Sequence, residues 1–286
     1  MESQNSILVE ADETAVRQSE TYRRLCCLPR FHPNAVRLLG VSTESDSALE
    51  DFESVFRSDP ALSADLLTAA NSPEFGLRAR IASIRNALSF LGLNRIRSLA
   101  ISIAMSQYVR TKVNSAGLQP VWAHGVATAV IAEQLGRRSP GPQPHLYTAG
   151  LVHDVGRLGL MLSGADYGGL ISKEFRSMDE AAKLEQLLFG VTHAQAGAFL
   201  AKSWNFPPLL CDCIEKHHEI GGLLDDELIR ITQAACILAT ELGYPELQGP
   251  SLEGAERDLA SEFLRRSGVT LEQLKEQVEA RSRGNR

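Results

Sequence analysis

The side chains best suited to chemistry in this chain are imidazoles. Six of the seven histidines lie between positions 124 and 218: His124, His145, His153, His193, His217 and His218. His153 is followed directly by Asp154, and His217-His218 by Glu219. Neutral imidazole and carboxylate are the natural ligands of zinc, iron and manganese. A helical bundle can gather such ligands from separate helices into one core site. Consecutive helix residues point about 100° apart, so a helical His153-Asp154 pair would reach a shared site from two sides. Gly150 and Gly156 flank the pair and would let neighbouring backbone come close. Two histidines read differently: His145 follows Pro144 at a helix start and reads as a cap or surface residue, and His32, beside Pro33, reads as a loop residue.

The elements that must position these groups are helical, since apolar residues recur at helical spacing and no run alternates like a strand. Asp59-Pro60 starts a helix as N-cap and first residue, with Leu62, Leu66, Leu67 and Ala70 on one face and Asn71-Ser72-Pro73 stopping it. Ser83 caps the next, with Ile84, Ala87, Leu88 and Leu91 as its stripe. Gly92 breaks that helix, and a longer one carries Ile96, Leu99, Ala100 and Ile103 inward. After a polar linker around Asn114–Gln119, helices are expected over Val121–Arg138, Pro144–Leu162, Thr192–Trp204, Pro207–Glu219 and Asp226–Leu242. Ser251–Arg286 reads as two amphipathic helices, and residues 1–20 as a loosely docked tail.

Composition narrows the function classes. The chain has 286 residues, is 44% hydrophobic and carries a net charge of −6, which suits a globular protein and argues against bulk electrostatic binding of nucleic acid. The cluster Arg78, Arg80, Arg85, Arg95 and Arg97 reads as solvated helix faces; as a nucleic-acid contact it is a minor alternative. No apolar stretch is long enough to span a bilayer, and the N-terminus lacks the pattern of a secretory signal. The five cysteines show no zinc-ribbon spacing, so reduced thiols in the cytoplasm are expected.

Longer strings carry a resemblance. LVHDVGRLGL (151–160) resembles the His-Asp signature of the HD phosphohydrolase superfamily, and VWAHGVATAVIAEQLG (121–136) the helix that supplies its first metal-binding histidine. The first part of the chain discriminates among relatives. SDPALSADLLTAANSPEFG and the following SIRNALSFLGLNRIR closely resemble the hallmark of the HDOD domain, a bacterial signalling module on the HD scaffold. The resemblance covers residues 22–243 and implies an all-α, two-lobed fold: an N-terminal helical lobe (21–115) packed on an HD-like helical bundle (116–245), with a tail (1–20) and a C-terminal helical extension (246–286).

Carried over by position, the resemblance implies His124, His153 and Asp154 as metal ligands, with His193, His217 and His218 as further ones. Cys236 stands where the superfamily has its final aspartate, and reads as a small buried thiol, with zinc ligation through its thiolate as the alternative. Arg157 replaces the usual signature lysine. Asp154 and Arg157 are the candidate catalytic residues. The loop after His217-His218 lacks a Gly-Tyr-Pro motif, and Gly243-Tyr244-Pro245 comes too late to supply it. These departures imply a regulatory adaptor with a degenerate site, working in the cytoplasm through a signalling protein partner or a nucleotide second messenger. The competing expectation is a metal-dependent phosphohydrolase of nucleotides or cyclic dinucleotides, with zinc, iron or manganese as cofactor.

Overall fold

The computed structural model describes residues 15–284 except 77–79, 113–117, 140–144, 164–166, 168, 170–172, 176, 220–225 and 248–253. Among the described residues there are helices and no strand. In chain order they are α1 (15–26), α2 (Pro33–Gly40), α3 (Ala48–Arg57), α4 (Pro60–Ala70), α5 (Ile84–Leu91), α6 (Leu93–Lys112), α7 (Leu118–Leu135), α8 (Leu146–Val152), α9 (Val155–Leu162), α10 (Met178–Phe189), α11 (His193–Ser203), α12 (Pro208–Lys216), α13 (Glu227–Glu241), α14 (Ala255–Ser267) and α15 (Leu271–Gly284). No single one is long and apolar enough to cross a membrane.

The predicted caps form. Asp59 accepts a hydrogen bond from the Leu62 amide at the start of α4, and Ser83 one from Asn86 at the start of α5. The buried faces are those the periodicity indicated: Leu62, Leu66 and Ala70 on α4, and Ala87 and Leu88 on α5. With Phe52, Val55 and Phe56 of α3 and Ile96, Leu99 and Ala100 of α6, they make one hydrophobic cluster. A second, larger cluster runs through α7 to α15 and takes in Leu25, Phe31 and Ala35. Aromatic rings bind the early segment to this second cluster: Phe31 stacks on Trp204 at 5.6 Å between centroids, and Tyr108 meets Trp204 edge-on at 5.3 Å.

Four expectations need correction. Residues 15–20, expected in the loose tail, are the first turns of α1, where Thr21 donates to the Phe189 carbonyl and anchors the helix on α10. The helix expected over Pro144–Leu162 is two helices, broken at His153-Asp154, so the pair sits at a junction instead of on one continuous helix. The linker ends early, since α7 already starts at Leu118. Arg97 is not on a solvated face: it is buried, and its guanidinium donates to the carbonyls of Leu38 and Val41. Of the same cluster, Arg85 pairs with Glu53 and Arg95 lies over Phe75, while Arg78 lies outside the described residues.

Two glycines set the spacing on which the site depends. A Cβ on Gly156 of α9 would lie 1.8 Å from the His193 carbonyl oxygen and 2.5 Å from the Gly197 amide nitrogen of α11. A Cβ on Gly150 of α8 would lie 2.6 Å from the Ala129 Cα of α7. Both neighbours are backbone, which cannot swing aside as a side chain can. Substituting Gly156→Ala should therefore lower stability by about 3 kcal/mol or more, at the upper end of overpacking costs. Urea denaturation followed by circular dichroism measures this. The cap makes a milder prediction: Asp59→Ala should cost about 1 kcal/mol. Burial raises the Asp59 carboxyl, but the Leu62 amide, Asn34 and His32 outweigh it and hold it below its usual value. That contribution is present above the unfolded-state pKa and is lost as pH falls through the folded one. The gap between wild type and Asp59→Ala should accordingly narrow in acid.

Candidate metal centre

The site forms where four helix ends converge. His153 is the C-cap of α8, and its Nδ1–H donates to the Gly150 carbonyl at 2.7 Å. His217 repeats the device at the end of α12, donating to Ile214 at 2.7 Å. In each, the ring satisfies a terminal carbonyl that its helix leaves unpaired, and its Nε2 is thereby turned into the centre. His124, within α7, donates from Nδ1 to the Tyr244 carbonyl at 2.7 Å. His193 opens α11 behind a Thr192–Gln195 capping box. Its Nδ1–H and its backbone N–H both donate to the Glu185 carboxylate, at 2.8 and 2.7 Å.

These partners decide the tautomers. A carbonyl or carboxylate oxygen only accepts, so each of the four Nδ1 atoms carries a proton, and a neutral ring so held presents its Nε2 lone pair. The lone pairs face one another. His124 and His153 are 3.1 Å apart at Nε2, and His193 and His217 are 3.4 Å apart. His218 brings its own Nε2 to 3.1 Å from that of His193. Converging lone pairs repel unless a cation lies between them, and burial pushes the imidazoles of His124, His153, His193 and His218 down, away from protonation. Metal-ligating histidines are commonly oriented in this way through their second nitrogen.

Two ligand groups result. His124, His153, Cys236 and Glu246 offer atoms all within 4.8 Å of one another, as do Asp154, His193, His217 and His218. Asp154 Oδ1 lies 3.5 Å from the Nε2 of both His193 and His217. All members are buried except His218, whose side chain is 26% exposed, so the second group is the one nearer solvent.

Arg157 is enclosed beside both groups. It is fully buried, and its guanidinium donates to Asp154, Glu185, Glu246 and the Tyr167 hydroxyl. Three buried carboxylates thus face one guanidinium, an excess of negative charge that calls for a further cation or a proton. Burial raises the Asp154 carboxyl, but Arg157 and the surrounding histidines overcome this and keep it ionised. Glu246 goes the other way, raised by burial and by the negative charge of Asp154. Glu185 would also rise by burial, yet His193, Arg157 and the Tyr167 hydroxyl bring it down to about 2.

All six histidine and aspartate positions named as metal ligands come together. Cys236 lies beside them, with Sγ 3.5 Å from His124 Nε2. Glu219 is exposed and stays outside. His145 sits at the N-cap position of α8 without making a cap, half-buried, and takes no part in either group. His32 lies 3.2 Å from Asp59 and belongs to neither group. Sequence reasoning missed Glu185, Glu246 and Tyr167. Glu185 did leave a signal: it falls with Ala181 and Phe189 on the buried stripe of α10, where an unpaired carboxylate would be costly.

The sequence model of the HDOD domain matches residues 28–220. An uncharacterised protein of Treponema pallidum (strain Nichols) is 24% identical over 204 residues, 69% of this chain and 39% of that protein; the chain thus spans well under half the length of this curated relative. Among solved structures, an HDOD domain protein of unknown function from Geobacter sulfurreducens superposes with a TM-score of 0.71 at 24% identity, covering 95% of this chain and 98% of the other. A candidate phosphohydrolase from Shewanella amazonensis SB2B gives 0.64 at 23%, covering 93% and 95%. A candidate signal transduction protein from Marinobacter aquaeolei VT8 gives 0.67 at 20%, covering 95% and 64%. At these identities the likeness is one of fold.

Removing the central cation should be severe. Arg157→Met leaves Asp154, Glu185 and Glu246 facing one another without a counter-charge, at a cost of roughly 3–5 kcal/mol. Urea midpoints of wild type and variant measure it, and a loss under about 1 kcal/mol would mean that Arg157 is not what balances these carboxylates.

Proposed function

The chain belongs to the HDOD domain family, and from that premise we propose that it is a regulatory signalling module whose HD-type centre binds a divalent metal without hydrolysing phosphoesters. The observation that carries this reading is the state of Arg157. In a phosphohydrolase a cationic side chain beside the metal would assist it by receiving phosphate, but here the guanidinium is buried and donates to Asp154, Glu185, Glu246 and Tyr167. Arginine also cannot give up a proton as a lysine can. The ligands are buried on nearly every side, as in metal sites that hold a structure together.

The residues fit a metal. His124 and His153, with Cys236 and Glu246, would hold one ion, and Asp154, His193, His217 and His218 another. A bound divalent ion supplies Lewis-acid chemistry, polarising a phosphoryl oxygen and making water more acidic. Around it, Glu185 fixes the His193 ring and Tyr167 fixes Glu185. The carbonyls of Gly150, Ile214 and Tyr244 orient the other rings.

One observation favours a second reading, metal-dependent phosphohydrolysis. The Asp154 group is complete and reaches solvent at His218, which leaves a face from which a nucleotide or cyclic dinucleotide could approach. For the regulatory reading the output is a signalling protein partner or a second-messenger ligand in a bacterial cytoplasm. The thiols fit a reducing compartment: Cys26, Cys27, Cys211, Cys213 and Cys236 are all free.

Elemental analysis of untagged protein, paired with assays on a generic phosphodiester and on cyclic dinucleotides, separates the two. We expect bound metal in wild type, its depletion in Asp154→Ala, and no turnover above the blank after metal add-back. Turnover in wild type that disappears in Asp154→Ala would establish the hydrolase instead.

A further inference from the structure

Cys236 is the position at which this centre departs most in chemistry from an oxygen-and-nitrogen site. We propose that Cys236 is a metal ligand and that, with His124, His153 and Glu246, it makes a thiolate centre selective for zinc over manganese. This inference rests on the reading that the site holds metal, and adds which ion it prefers and why.

Two separations within the group match those around a tetrahedral ion. Zinc–nitrogen bonds of about 2.0 Å and a zinc–sulfur bond of about 2.3 Å at tetrahedral angles place two nitrogens about 3.3 Å apart and sulfur about 3.5 Å from nitrogen. Here His124 and His153 are 3.1 Å apart at Nε2, and Cys236 Sγ is 3.5 Å from His124 Nε2. A second observation points to a cation independently of the thiol. With Nδ1 of both rings donating to carbonyls, the two Nε2 lone pairs confront each other in a buried space. The Thr128 hydroxyl reaches His124 Nε2 only at 3.4 Å.

Charge and softness complete the case. With an ion bound, a Cys236 thiolate and the Glu246 carboxylate would each carry one negative charge and, with neutral imidazoles, would balance a divalent ion within the first group. Asp154 and Glu185 are left to Arg157 and the second group. Thiolate favours zinc, whereas carboxylate in its place would suit manganese. Glu246 follows directly on the Tyr244-Pro245 segment whose carbonyl holds His124. An ion here would therefore tie α7, the α8–α9 junction and α13 to the chain that follows α13.

The test is cobalt substitution of the whole chain, with no substrate involved. Wild type loaded with Co²⁺ should show a near-ultraviolet thiolate-to-cobalt charge-transfer band, and the band should persist in Cys26→Ala/Cys27→Ala, whose altered thiols are the exposed ones. In Cys236→Asp the band should vanish while visible cobalt bands from the histidines remain. In competition between zinc and manganese, the preference for zinc should fall at least ten-fold in that variant. Cobalt uptake by wild type without a charge-transfer band overturns the proposal, as does an unchanged zinc preference in Cys236→Asp or a failure of wild type to take up either ion. The wild-type spectrum decides even if the variant does not fold. Turnover leaves this test untouched, so a hydrolytic protein with the band would sink the regulatory reading and keep Cys236 as a ligand.

Discussion

The structure turns on one buried cation. Arg157 lies in the second half of the bundle with no exposed surface, and three carboxylates from three places in the chain close on it: Asp154 at the α8–α9 junction, Glu185 on α10, and Glu246 after α13. A charge taken from water is tolerated only when it is paired and hydrogen-bonded. Arg157 meets that condition by drawing remote segments together, and each carboxylate then does a second task. Asp154 faces His193 and His217, Glu185 holds the His193 ring, and Glu246 joins His124 and His153. The guanidinium is thus the frame on which both ligand groups are built.

Backbone packing sets the distances within that frame. Gly156 lets α9 lie against the first turn of α11, and Gly150 lets α8 lie against α7, so histidines on four helices reach a common centre. Helix termini do the rest. The same unpaired carbonyls that make a helix end costly are used at α8 and α12 to orient His153 and His217. Ring orientation, tautomer and helix capping are one arrangement here, so a change at any of them reaches the ligands.

Much of this was legible in the chain. The Asp59 and Ser83 caps, the buried stripes of α4 and α5, and the all-helical class follow from local rules that act within a few residues, and the structure agrees. The metal-ligand candidates could be picked out because histidines recur on successive helices and the surrounding strings resemble a known family. What could not be read was any relation that depends on a distant segment. A helix over Pro144–Leu162 looked continuous because its apolar residues are, yet the chain breaks at His153-Asp154 to aim both side chains inward. Arg97 looked solvated, since a sequence does not show that the Leu38 and Val41 carbonyls wait beside it.

The sequence by itself determined the helices, their caps and faces, the family, and the six histidine and aspartate positions that gather at the centre. Those depend on side-chain type at short spacing, where 3.6-residue periodicity and cap chemistry operate. Only the tertiary structure decided that Arg157 is enclosed, that Glu185, Tyr167 and Glu246 belong to the site, and that Cys236 turns its sulfur toward His124. Each of these is a meeting of residues far apart in the chain. What makes them is the need to match buried charge and buried lone pairs across the whole bundle, a condition no local stretch of sequence contains.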